Sequence, residues 1–184
     1  MHLSTTLRVL GLLLMVFSFA MIPSMIISLI YEDQQLNLFI SAMVAIFAAG
    51  FLCWMPVRHQ RREMRVRDGF LITVLFWGVL GFAGAVPLAL SQELNLSITD
   101  AIFESISGLT TTGATVITSL ETLPKSILFY RQLLQWLGGM GIVVLAVAIL
   151  PLLGIGGMQL YRAETPGPVK DAKLSPRIAE TAKA

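Results

Sequence analysis

Asp100-Ala-Ile-Phe-Glu-Ser-Ile-Ser-Gly-Leu-Thr-Thr-Thr-Gly-Ala-Thr115 decides how the rest of this chain is read. Ile98–Leu109 carries a twelve-residue helical pattern, with Ile102, Phe103, Ile106 and Leu109 at helical spacing on one face. Such a helix is about 18 Å long, too short to cross a bilayer. Ser97-Ile-Thr-Asp100 resembles a capping box at its start. Gly108 is expected to end the helix in a left-handed C-cap. Three threonines and Gly113 then turn the chain back. A short helix running into a Thr/Gly turn between two apolar segments reads as a pore helix followed by an ion-selectivity filter.

The flanking sequence supplies the membrane. Of 184 residues, 55% are hydrophobic and 13% charged, against about 25% charged in soluble domains. Four segments are long and apolar enough to span: Leu10–Tyr31, Leu36–Val57, Gly69–Leu90 and Ile127–Leu160. Pro23 predicts a kink or local unwinding in the first. The fourth is about 51 Å as straight helix and is expected to bend near Pro151, Gly154, Gly156 and Gly157. The first apolar run outlasts a signal-peptide core and has no cleavage site after it, so it reads as a retained span. The one cysteine, Cys53, reads as a buried inert thiol.

Charge orients the spans. Arg8, five arginines from Arg58 to Arg67 and five basic residues after the fourth span fall on one side; Lys125 and Arg131 fall on the other. The positive-inside rule makes the basic side, with both termini, cytoplasmic. The stretch from Gln92 to Lys125 then leaves and returns on the outer face, as a re-entrant helix and loop must. The C-terminal end of that helix would offer a cation a partial negative charge. Thr110, Thr111, Thr112 and Gly113 are the predicted ligands of a dehydrated cation, through backbone carbonyls and neighbouring hydroxyls. Asp100 is expected to stabilise the helix N-terminus, and Asp100 with Glu104 to concentrate cations at the outer mouth.

Other chemistry is poorly supported. Gly108–Thr115 approaches the phosphate-binding pattern G-x-x-x-x-G-K-[ST], but Ala114 stands where the lysine is needed. No serine elbow, paired histidine or metal-spaced cluster is visible, so the chain is not expected to be an enzyme or to hold a cofactor. A net charge of +2 gives no sign of nucleic-acid binding. Gly78, Gly81, Gly84 and Gly138-Gly-Met-Gly141 allow close helix approach.

Asn95–Thr115 resembles the first pore loop of the Trk potassium-uptake membrane subunits, the TrkH/TrkG type. Arg67-Asp-Gly-Phe70 and Leu133–Gly141 resemble the flanking helices, and Tyr161–Pro168 with Pro176–Thr181 the cytoplasmic link that follows. The resemblance implies an all-α membrane protein: two extra N-terminal transmembrane helices (residues 1–67), one helix–pore-loop–helix repeat of a potassium-channel-like fold (68–160), and a link toward a second repeat (161–184). It also implies a bacterial inner membrane location and potassium as the transported ligand. The implied partners are the remaining repeats of the same subunit, a second subunit in a homodimer, and a cytosolic NAD/ATP-binding regulatory subunit. One loop is about a quarter of an ion cage, so the chain is expected to be the N-terminal part of a longer subunit. The rivals are a self-assembling single-loop channel, which would lack the T-V-G-Y-G filter of tetrameric potassium channels, and a non-transporting membrane scaffold or membrane enzyme.

Overall fold

A computed structural model describes residues 3–58 and 66–148. The described residues form six α-helices and no strand: α1 (Leu3–Ser18), α2 (Met21–Tyr31), α3 (Leu36–Trp54), α4 (Val66–Leu90), α5 (Ile98–Leu109) and α6 (Lys125–Ala148). Short 3-10 turns follow α3 at Met55–Val57 and precede α6 at Leu120–Thr122. The chain divides into two compact units, Met1–Gly139 and Met140–Ala184; of the second, only the end of α6 is described. The predicted bend around Pro151–Gly157 and the basic residues after the fourth span lie outside the described residues.

The first apolar run is two helices, α1 and α2, broken at Phe19 and Ala20. Pro23 explains the position of the break. It lacks the N–H that would bond the Phe19 carbonyl, and its ring crowds that carbonyl one turn back. The Phe19 oxygen instead accepts the Ile22 amide at 3.1 Å, and the Phe19 and Ala20 amides tighten onto Val16 and Phe17. Thr6–Tyr31 and Leu36–Val57 are long and apolar enough to cross a membrane, and their outward residues are apolar: Val16, Leu29, Ile30 and Leu52 are each more than half exposed. Cys53 is half-buried, not fully buried as expected.

α1 packs chiefly on α3, and α4 on α5. The buried core joins Met21 and Phe39 to Leu88, Ala101, Ile127, Tyr130 and Leu134, so residues of all six helices meet in one apolar cluster. Two glycines of α4 face α5: a Cβ at Gly81 would lie 2.8 Å from Ile106, and one at Gly84 would collide with the Ser105 hydroxyl. Gly78 meets nothing nearby. On the other side, a Cβ at Gly138 of α6 would collide with the Leu109 carbonyl, and Gly108 faces Leu134. α5 is thus held at backbone distance between α4 and α6. The apolar face predicted for α5 is divided: Leu109 is buried, while Phe103 and Ile106 are partly exposed, and the innermost positions are Ala101, Glu104 and Ser105.

Candidate functional site: the turn after α5

α5 has the predicted bounds and the predicted start. Ser97 Oγ accepts the Asp100 amide at 3.1 Å and donates to the Asp100 carboxylate at 2.7 Å. Asp100 lies in the first turn, where a negative charge is favoured.

Its end differs from expectation. Gly108 is an interior helical residue; the helix continues through Leu109, and Thr110 is the C-cap. The left-handed residue is Thr111, with φ of 57°. The Thr112 amide reaches back to the Ser107 carbonyl and the Thr111 amide to the Gly108 carbonyl, both at 2.9 Å. These are the two bonds of a Schellman motif, with threonine in the position that glycine usually fills. Gly108 serves packing instead: a Cβ there would lie 3.1 Å from Leu134 of α6, a tight contact that a bare glycine avoids.

Thr110, Thr111, Thr112 and Gly113 form one exposed turn. All four amides are bonded from behind: Thr110 to Ile106, Thr111 to Gly108, and Thr112 and Gly113 to Ser107. The Thr110 hydroxyl donates to the Ile106 carbonyl, and the Thr110 and Thr112 hydroxyls lie 2.8 Å apart. Among the described residues, no donor meets the carbonyls of Thr110, Thr111, Thr112 or Gly113. The turn therefore has its N–H groups tied inward and four backbone oxygens left over. Gly113 also has a left-handed φ, 74°, while the nearest atom to a Cβ built there is 3.8 Å away. Conformation, not space, is what requires glycine at this position.

The returning limb is fixed by a group that the sequence reading placed elsewhere. Glu104 is not at a solvent-facing mouth; only 3% of the residue is exposed. Its Oε1 accepts the Thr115 hydroxyl and the Val116 amide, the latter at 2.7 Å. Its Oε2 accepts Arg131 Nε at 3.0 Å and Nη2 at 2.8 Å. Ser107 Oγ donates to the Ala114 carbonyl at 2.6 Å. One buried carboxylate, neutralised by α6, thus anchors the chain just beyond the turn. Arg131 was legible as an anomaly: a charged residue inside an apolar segment needs a partner.

Known proteins match this sequence along nearly its whole length. Residues 35–184 match the model of the TrkH family, described as cation transport proteins. The chain is 61% identical over its whole length to the Trk system potassium uptake protein TrkH of Halomonas elongata, covering 38% of that protein. It is 44% identical to TrkG of Escherichia coli strain K12, covering 99% of this chain and 38% of that one. The crystal structure of the potassium transporter TrkH from Vibrio parahaemolyticus superposes with a TM-score of 0.81 at 50% identity, over 100% of this chain and 36% of that one. The chain spans little more than a third of the length of these relatives. With the family model matched from residue 35 onward and these identities running from end to end, the chain belongs to the TrkH family of cation transport proteins.

Proposed function

We propose that this chain is the N-terminal portion of a membrane subunit for potassium uptake, a transporter and not an enzyme, and that Thr110, Thr111, Thr112 and Gly113 supply one of four walls of its selectivity filter. The observation that carries this reading is the turn itself: four amides bonded inward and four carbonyls that meet no donor among the described residues. Carbonyls left unpaired at membrane depth are costly unless they line a cavity or meet a cation. Left-handed residues stand at alternate positions, Thr111 and Gly113; in this reading the alternation sets successive carbonyls toward a common side, as carbonyl coordination of potassium demands.

In this reading α4, α5 and α6 are the outer helix, pore helix and inner helix of a first repeat over residues 68–160. Residues 1–67 are extra helices, and 161–184 lead toward a second repeat. Both termini lie in the cytoplasm of a bacterial cell whose inner membrane holds the subunit. Permeation is passive and driven by the membrane potential. The complete subunit would work as a homodimer gated by a cytosolic nucleotide-binding partner.

Replacing Gly113 with serine or aspartate in the full-length subunit tests the filter. Potassium-over-sodium selectivity in flux assays should fall, because the left-handed backbone is lost; unaltered selectivity would remove the assignment. Cysteines introduced at the exposed Ser119 and Thr122 should react with an impermeant reagent from outside the cell. Labelling only from the cytoplasm would overturn the re-entrant topology.

A further inference from the structure

Pro124 stands just before α6 and has no side-chain acceptor with which to cap it. The Ser126 amide falls in the first turn, where no intrahelical partner exists. Its acceptor comes from the other end of the sequence: Asp33 Oδ2, in the loop between α2 and α3, takes the Ser126 N–H at 2.9 Å. The second oxygen, Oδ1, accepts the Ser28 hydroxyl at 2.6 Å and the Gln35 amide at 3.3 Å. The residues on either side of Asp33 are both left-handed and neither is glycine: Glu32 at φ 50° and Gln34 at φ 59°. A loop holding two such residues around one aspartate is organised by that aspartate's contacts. Burial raises the Asp33 pKa, but hydrogen bonds from Ser126, Ser28 and Gln35 outweigh it and hold the carboxyl below its usual range.

One turn further along α6, Tyr130 packs on Phe39 of α3 with ring centroids 5.7 Å apart, both fully buried. The Tyr130 hydroxyl donates to the Gly84 carbonyl of α4 at 2.9 Å. The next residue is Arg131, whose guanidinium holds Glu104 and through it Thr115 and Val116. We infer that Asp33 is a positioning residue for the Thr110–Val116 turn: the N-terminal helices deliver its carboxylate to the start of α6 and so set Arg131 in register with Glu104. The extra helices then do more than widen the protein in the membrane. They brace the first turn of α6, and through Arg131 and Glu104 the brace reaches Thr115 and Val116.

Resting on the filter reading for its transport readout, the brace is tested with a second readout that needs no ion. In the full-length subunit, expressed in bacteria lacking their own potassium uptake, Asp33→Ala should raise the sodium-to-potassium uptake ratio roughly fivefold, the scale of one lost helix cap. Asp33→Glu, which keeps a charged acceptor, should restore most of the selectivity. In an Arg131→Met background Asp33→Ala should add nothing, because the route is already cut. An unchanged ratio, or an additive effect in that background, overturns the inference. If Asp33→Ala does not accumulate, Asp33→Asn carries the same comparison with a smaller shift. Deuterium exchange at the Val116 amide reads the link directly: it should quicken in the Asp33 variant, and unchanged exchange overturns the brace whatever Gly113→Ser does. If Gly113→Ser alters selectivity while Asp33→Ala alters neither readout, the filter reading stands and the brace alone falls.

Discussion

Where α1 meets α3, two glycines bring backbones together: a Cβ on Gly11 or on Gly50 would lie 2.7 Å from the other's carbonyl oxygen. From Ser97 to Ile117 the joints are of another kind, built from a caught carboxylate, a buried ion pair and two left-handed residues. The difference follows from what each segment does with its own backbone. A helix satisfies its amides and carbonyls internally, so α1 and α3 need only approach closely and shed lipid. The turn and returning limb have no such ladder: helix-end carbonyls take the amides of Thr110 to Gly113, and side chains take the Ala114 carbonyl and the Val116 amide. Close packing alone is therefore the means of cohesion in the first region, whereas the second adds hydrogen-bond partnership to the close approaches at Gly84 and Gly138.

Arg131→Met should separate the two regions most sharply. It leaves Glu104 buried without its counter-charge, a change on the order of 3–5 kcal/mol in buried pairs. Thermal unfolding in detergent should show the loss, and ion selectivity should fall with it, because Thr115 and Val116 lose a fixed anchor. Full selectivity in the surviving protein would mean that the Glu104 pair is structural only.

Next come the glycine crossings. Gly11→Val and Gly138→Val each force backbones apart, with a cost of about 1–3 kcal/mol or more. Both should lower the melting temperature, yet only Gly138→Val should change selectivity, since Gly138 backs the carbonyl of Leu109 at the head of the turn. Equal selectivity changes in both would erase the distinction between the regions.

What could be read from the sequence divides along the same line. α5 was legible in its span and its start, because the Ser97 cap and the helical pattern are local. The break between α1 and α2 was legible as an event, and its position four residues before Pro23 follows from the carbonyl that proline cannot serve. The ion pair was not, since Glu104 and Arg131 lie on different helices and the pattern around Glu104 suits a solvent-facing position equally well. Nor was the cap on Ser126, whose acceptor is 93 residues away. Assigning the helix end to Gly108 failed because glycine has two uses, and close packing on Leu134 took precedence over the left-handed cap.

Thr111→Gly asks whether the turn is held against its own preference. A β-branched residue in the left-handed region costs roughly 1–2 kcal/mol that glycine does not incur. The variant should melt a little higher, while its two Schellman bonds remain available. A lower melting temperature would show that the threonine side chain contributes more than its backbone costs.

The smallest effect is expected at Gly78, and it bears on both regions. Gly11, Gly50 and Gly84 each sit against a neighbour's atoms, whereas a Cβ at Gly78 meets nothing within 4 Å. Interior helical glycine is less favourable than alanine by roughly 0.5–1 kcal/mol. Gly78→Ala should therefore leave the melting temperature of this chain unchanged or slightly raised. Destabilisation instead would place a further helix or a partner against this face of α4, and would make a glycine with open space around it among the described residues a contact point.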